Sequence, residues 1–86
     1  MDALPRPRAD VVFQELDGET VLVHLRTNEI YALNETAGRL WQLLGETSDR
    51  GELERRLLEE FDVTADDLRD EIDELLARLV SEELVS

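Results

Sequence analysis

The stretch NEIYALNETAGRLW, residues 28–41, changes its periodicity at a single asparagine. The segment IYAL (30–33) alternates its side chains between two faces, which is the pattern of a β-strand. Asn34 is a favourable N-cap, and Glu35 suits the positive end of a helix dipole. The apolar residues that follow recur at helical spacing and share one face: Ala37, Leu40, Trp41 and Leu44. This stretch therefore predicts a strand joined directly to a helix.

Two further strands are predicted before this junction. The segment VVFQEL (11–16) is followed by Asp17-Gly18, a strong signal for a hairpin turn. The segment TVLVHLRT (20–27) alternates as a strand with one buried face does. Since strands joined by short turns usually pair with their neighbours, residues 11–33 predict a three-stranded antiparallel sheet.

Two more helices are predicted after the junction. Gly45 suits the end of the first helix, and Asp49 with Glu52 forms a capping-box pattern at the start of the second. The second helix runs for about 12 residues on its apolar spacing. Thr64 with Asp67 repeats the capping box and opens the longest helix. Its apolar stripe consists of Leu68, Ile72, Leu75, Leu76 and Leu79.

The predicted order of elements is β-β-β-α-α-α, an α+β fold that resembles a winged helix-turn-helix with its strands placed first. The first ten residues contain Pro5 and Pro7 and have no periodicity, so residues 1–10 predict a flexible arm. Residues 11–86 predict one domain, which is small but large enough to hold a core.

The charge of the chain is strongly negative, with 22 acidic and nine basic residues and a net charge of −13. Residues 49–86 contain 14 acids and five arginines, hence a net charge of −9 in that segment. Such a field repels nucleic acid and anionic membranes, and it attracts a basic partner. Solubility alone explains the acidity equally well. Residues 65–82, which would contain the recognition helix of a DNA reader, have seven acids against Arg69 and Arg78, and this charge opposes contact with phosphates.

The sequence shows no arrangement of residues suited to catalysis. The chain has no cysteine, and its one histidine, His24, lacks the companions that a zinc site needs. A structural or surface role is expected for His24. No serine has a histidine partner in any plausible arrangement, and four glycines do not form a phosphate-binding loop. We therefore expect a non-enzyme without cofactor or metal. No apolar run has the length of a signal peptide or membrane span, which indicates a cytoplasmic protein.

The third strand offers a binding surface because it forms one edge of the predicted sheet. An extended peptide could add a fourth strand there through main-chain hydrogen bonds, with the third helix supplying side-chain pockets. Each apolar residue of the third helix could belong either to this groove or to the core.

Two segments resemble a known family. The segments YALNETAGRLW (31–41) and EIDELLARLVSEELV (71–85) are similar to the PqqD-like family of peptide-recognition domains, the RiPP recognition elements that serve ribosomally made, modified peptides. The resemblance covers residues 11–85. It departs at Glu83, where glycine is common, and at Glu71, where the family has aspartate. Residues 21–34 look most like the free-standing leader-binding proteins of lasso-peptide clusters.

The resemblance implies a binding module for the leader of a precursor peptide. The leader would lie antiparallel to the third strand, beside the third helix, and would be presented to a leader peptidase, followed by a cyclase. Leaders of this group commonly carry a Tyr-x-x-Pro motif, whose rings need an apolar pocket. An acidic winged-helix regulator or a generic protein–protein adaptor is the alternative.

The implied site residues fall into three groups. The main chain would come from Asn28, Glu29, Ile30, Tyr31, Ala32 and Leu33. The pocket would be drawn from Leu68, Ile72, Leu75, Leu76 and Leu79. An acidic rim of Asp67, Glu71 and Glu74 would favour a basic leader.

Overall fold

The computed structural model describes residues 3–86 and has three antiparallel strands in the order β1-β2-β3, followed by three helices. The predicted α+β, winged-helix-like fold is confirmed. The strands are β1 (Val11–Leu16), β2 (Glu19–His24) and β3 (Glu29–Leu33). The helices are α1 (Glu35–Leu44), α2 (Arg50–Glu60) and α3 (Ala65–Ser81).

Both turns of the sheet use residues with a positive φ. Asp17 (φ 51°) and Gly18 (φ 83°) form the two-residue connection between β1 and β2. Positive φ at both positions is what a type I′ hairpin turn requires. Asn28 (φ 63°) closes the turn before β3, and asparagine tolerates this conformation better than most residues do. This turn takes up residues 25–28, so β2 ends at His24 and is shorter than predicted.

Helix α1 packs closely on the sheet. The Asn34 side chain accepts a hydrogen bond from the Ala37 N–H over 2.9 Å, which confirms the predicted N-cap. Gly38 faces β2, and a Cβ atom at this position would lie 2.4 Å from the Thr20 hydroxyl oxygen. The missing side chain therefore permits the close approach of α1 to β2.

Helix α2 begins where predicted but is capped differently. Asp49 accepts a hydrogen bond from the Gly51 N–H over 3.2 Å. Glu52 accepts instead from the Thr47 hydroxyl over 3.0 Å. The reciprocal capping box predicted for Asp49 and Glu52 was wrong, because the Glu52 carboxylate turns to a residue that precedes the cap.

Helix α3 has a conventional start and a strained end. Thr64 accepts a hydrogen bond from the Asp67 N–H over 3.2 Å, as predicted. After the helix, Glu83 adopts φ 57°, and the Leu84 N–H donates to the Leu79 carbonyl over 2.9 Å. This 6→1 bond is typical of a Schellman motif, whose left-handed position usually holds glycine.

The core lies between the helices and one face of the sheet. It includes the buried His24, whose Nδ1 accepts from the Arg26 N–H over 3.3 Å. Because Nδ1 accepts, Nε2 carries the proton and donates to the Glu83 carbonyl, 3.1 Å away. This histidine links β2 to the segment after α3. A structural or surface role was expected for His24, and the structural role is the one observed. The buried apolar residues are Leu4, Val11, Leu22, Leu33, Ala37, Leu40, Trp41, Leu43, Leu44, Leu53, Leu57, Leu68, Ile72, Leu79, Leu84 and Val85.

The N-terminal segment differs from the flexible arm that the sequence predicts. Arg6 and Ser86 exchange two main-chain hydrogen bonds of 2.9 Å, and the Arg8 N–H donates to the Leu84 carbonyl over 3.1 Å. Leu4 is only 6% exposed and bonds to the Ser48 carbonyl. Residues 3–8 are therefore held against the domain by partners that lie far away in the sequence. The first two residues of the predicted arm lie outside the described part of the chain.

Candidate functional site in the cleft between β3 and α3

The hydrogen-bonding pattern of the sheet decides which main-chain groups of β3 face outward. The Leu25 N–H donates to the Asp10 carbonyl over 2.8 Å at the end of the β1–β2 pair. Hydrogen-bonded and non-hydrogen-bonded pairs alternate along an antiparallel ladder. The neighbouring pair, Val11 and His24, is therefore non-hydrogen-bonded. It follows that the main-chain groups of His24 point towards β3.

This alternation continues into the β2–β3 pair. His24 is in register with Glu29, so the main-chain groups of Glu29, Tyr31 and Leu33 face β2. Those of Ile30 and Ala32 point away from the sheet. Within residues 3–86, no backbone hydrogen bond from another element reaches these two residues. The edge of β3 therefore offers two N–H and two C=O groups to an added strand.

A narrow cleft separates this strand from α3. Its cavity has a volume of about 20 Å³, roughly enough for a single water molecule. A side chain larger than water can enter only if α3 and β3 move apart or their side chains change rotamer. The lining residues are Tyr31, Leu33, Leu75, Arg78, Leu79, Glu82 and Leu84.

Tyr31 connects the two walls of the cleft. Its hydroxyl lies 3.0 Å from a carboxylate oxygen of Glu82 and 3.1 Å from one of Glu29, so its single proton is shared between these two acceptors. Burial and these two carboxylates raise the pKa of Tyr31 to about 12. The phenol therefore remains a neutral donor throughout the physiological pH range.

The five apolar residues predicted as the pocket pool divide between core and cleft. Leu68 and Ile72 are fully buried and do not line the cavity, so they serve the core. Leu79 is buried but also lines the cavity, as does the half-buried Leu75. Leu76 packs against the core at its margin. Only Leu75 and Leu79 of the predicted pool lie at the cleft.

Three residues of the cleft were missed by sequence reasoning. Arg78 and Glu82 follow Leu75 by three and seven residues and therefore share its helical stripe. That spacing could have identified both residues, but the prediction of the pocket considered only apolar side chains on α3. Leu84 gave no such signal, because only the turn after α3 brings it to the cleft.

The predicted acidic rim does not line the cavity. Asp67 and Glu74 are exposed, and Glu71 is half-buried one turn before Leu75. At the other end, Asn28 is exposed in the turn that precedes β3. A contact between these residues and a bound peptide stays a prediction.

Other kinds of site find little support in the described part of the chain. Residues 3–86 contain no group of three His, Cys, Asp or Glu side chains that could hold a metal ion. Over the same range, no helix has both the length and the apolar character needed to cross a membrane. The exposed acids of α3 oppose contact with nucleic-acid phosphates. These acids are Asp66, Asp67, Asp70, Asp73 and Glu74.

Two solved structures are similar to this chain over nearly its whole length. The structure of TbiB1 in complex with the TbiA(beta) leader peptide has a TM-score of 0.86 and 27% sequence identity, covering 94% of each chain. The structure of lasso peptide synthetase B1 complexed with the leader peptide has a TM-score of 0.82 and 26% identity, covering 96% of each chain. Comparison with curated protein sequences gives no significant match.

A family profile also matches the chain. The profile described as Coenzyme PQQ synthesis protein D (PqqD) aligns with residues 19–85, from the start of β2 to the end of the core. This range contains the strand-to-helix junction at Asn34 and the whole of α3. The chain therefore belongs to the PqqD family, which confirms the predicted resemblance to PqqD-like RiPP recognition elements.

Proposed function

We propose that this protein binds the leader region of a ribosomally synthesised precursor peptide, without catalysing a reaction, by adding the leader as a strand to β3. The observation that carries the proposal is the unpaired edge at Ile30 and Ala32, which lies beside the cleft to α3. Both similar solved structures contain a leader peptide, which favours a precursor of the lasso type.

The geometry of β3 determines how a leader would bind. Its main chain would exchange hydrogen bonds with Ile30 and Ala32, while its side chains alternate between the cleft and the opposite face of the sheet. The rings of a Tyr-x-x-Pro motif would enter the cleft beside Leu75 and Leu79. Because the unbound cavity is small, this step would separate Tyr31 from Glu82.

The face of the sheet that the helices leave uncovered is apolar. Val12, Val23 and Ile30 form one row across the three strands. Ile30 is 69% exposed, and Leu16 and Leu25 are more than half exposed. Contiguous exposed apolar side chains commonly mark an interaction surface. A second copy of this chain is disfavoured here, since two molecules of charge −13 repel each other.

The partner leader peptidase is the occupant that this open face favours. Ile30 contributes its main chain to the leader-binding edge and its side chain to the open face. A leader bound as the fourth strand would therefore extend the same surface. The peptidase would contact protein and leader together, and the cyclase would act on the released product.

Calorimetry with synthetic lasso-type leaders tests the binding role. We expect a Kd near micromolar or tighter, about −8 kcal/mol, and loss of binding when either the Tyr or the Pro is replaced by alanine. Absence of binding to every such leader would contradict the proposal.

Cleavage of the precursor by its peptidase tests presentation separately. Val12→Glu places a charge on the open face, away from β3, so leader affinity should persist while leader removal slows. Leu58→Glu, at an exposed position of α2, is the matched control and should preserve both. Equal cleavage with the two variants would exclude the open face as the docking surface.

A further inference from the structure

Among residues 3–86, Arg78 is the one cationic side chain that lines the cleft. It lies on α3 between Leu75 and Glu82 along the same helical stripe, opposite Tyr31. The other ionisable groups near this end are the carboxylates of Glu29 and Glu82, which share the single proton of the Tyr31 hydroxyl. The lining of the cleft therefore combines apolar side chains with one guanidinium, that of Arg78, and one carboxylate, that of Glu82, which is engaged by the Tyr31 hydroxyl.

Arg78 also differs from most arginines of this chain in having no carboxylate partner. Within residues 3–86, neither Arg78 nor Arg6 forms a salt bridge. A guanidinium among 22 acids that stays unpaired beside a cleft is available to a ligand. The seven paired arginines are Arg8, Arg26, Arg39, Arg50, Arg55, Arg56 and Arg69.

We propose that Arg78 pairs with an Asp or Glu side chain of the bound leader and so selects leaders with an acid at the position facing the last turns of α3. The inference rests on the proposed leader binding. It differs from the prediction that an acidic rim favours a basic leader. The protein as a whole is negative, but the positive charge of Arg78 would attract an acidic leader residue at this one position. Elsewhere along the leader, added acids are repelled by the net charge of −13.

A second role of Arg78 requires no ligand. It lies in the last turn of α3, where a cation offsets the negative end of the helix dipole. That effect changes the stability of the protein but does not discriminate between leaders. A preference that depends on the charge of the peptide therefore separates the two roles.

The test uses a synthetic lasso-type leader with its Tyr-x-x-Pro motif kept constant. Each remaining position in turn is Glu, Gln or Lys, and affinities are measured for wild type, Arg78→Gln and Arg78→Glu. Arg55→Gln is the control, because Arg55 is 62% exposed on α2 and its replacement changes the net charge equally. We expect one position, or two adjacent ones, where wild type binds the Glu peptide about three- to tenfold more tightly than the Gln peptide.

This preference should disappear in Arg78→Gln, reverse towards Lys in Arg78→Glu and persist in Arg55→Gln. A Glu preference that survives Arg78→Gln, or its absence at every position, would overturn the role of Arg78 while leaving leader binding intact. Failure of all peptides to bind wild type would instead contradict the proposed function, and this inference with it.

Discussion

The Tyr31 hydroxyl on β3 and the Glu82 carboxylate at the end of α3 are joined by a 3.0 Å hydrogen bond across the cleft. The Glu29 carboxylate, two residues away on the same strand, lies 3.1 Å from the Tyr31 hydroxyl and shares its proton. The contact holds the third strand and the third helix together at one end of the cleft. It therefore helps to keep the cleft closed when no peptide is bound.

The first prediction concerns the ionisation of this phenol. Tyr31 is the only tyrosine, so the absorbance change of phenolate formation reports on one residue. We expect a midpoint near pH 12, compared with about 10 for an ordinary tyrosine. Glu82→Gln removes one neighbouring carboxylate and should lower the midpoint. A wild-type midpoint near 10 would contradict the described contact.

The same shift predicts how stability depends on alkaline pH. Between about pH 10 and 12 the unfolded chain ionises its tyrosine while the folded chain keeps the proton. The contribution of Tyr31 to the free energy of unfolding is therefore complete below pH 10 and is lost as the pH rises towards 12. Urea unfolding across this window should show the decline in wild type, and a smaller decline in Tyr31→Phe. Parallel declines in the two proteins would contradict the linkage.

Gly38→Ala should destabilise the protein although alanine is the better helix former. The added Cβ would lie 2.4 Å from the Thr20 hydroxyl oxygen and 3.0 Å from the Thr20 Cβ. Overpacking of this kind costs about 1–3 kcal/mol, which over most of this range exceeds the gain of about 1 kcal/mol in helix propensity. Thermal unfolding measures the net effect, and adding Thr20→Ala should recover part of the loss. A Gly38→Ala protein as stable as wild type would mean that α1 does not pack so closely on β2.

Glu83 allows a comparison of two substitutions at one left-handed position. Both Glu83→Gly and Glu83→Ala remove the exposed salt bridge to Arg26, so this loss cancels between them. Alanine at φ 57° remains strained, whereas glycine adopts the conformation freely. We expect the glycine variant to be more stable in urea unfolding by about 1 kcal/mol. Greater stability of the alanine variant would mean that this turn is not left-handed.

Local signals in the sequence predicted the elements of the fold. The Asp17-Gly18 turn and the Asn34 cap each depend on residues within a few positions of one another, so their chemistry could be recognised without the structure. The docking of residues 3–8 could not be predicted in this way. Arg6 pairs with Ser86, and no periodicity in either segment indicates the other. Pro5 and Pro7 are typical of a flexible arm, but hydrogen bonds to residues far away in the sequence hold residues 3–8 against the domain.

The docked segment leads to a prediction about Leu4. Its side chain is buried with the core, and truncation to alanine should cost about 2 kcal/mol, at the lower end of the range for core leucines. The measurement is the free energy of unfolding in urea. Ala9→Ser, at an exposed position just before β1, is a control that should have little effect. Unchanged stability in Leu4→Ala would mean that the Leu4 side chain is not packed in the core, as expected if residues 1–10 form a flexible arm.

The cleft could be predicted only in part. Strand order and the apolar stripe of α3 indicated which two elements form it. Which apolar residues of α3 face the core and which face the cleft depends on how the helix is rotated about its axis against the sheet. Local sequence patterns do not determine this rotation. Ile72 therefore proved to be core and Leu75 to line the cleft, although both occupy equivalent places in the apolar pattern.

The most direct test of the central claim is the affinity of Ala32→Pro for a leader peptide that wild type binds. Ala32 has an exposed side chain and an outward N–H, so proline should remove one donor from the free edge and leave the fold intact. Glu15→Pro makes the same change on the opposite edge of the sheet, where by the same alternation the Glu15 N–H also points outward.

We predict, by calorimetry, that Ala32→Pro weakens leader binding about tenfold or more, while Glu15→Pro binds as wild type does, with circular dichroism showing both folded. Normal binding by folded Ala32→Pro would contradict strand addition at β3.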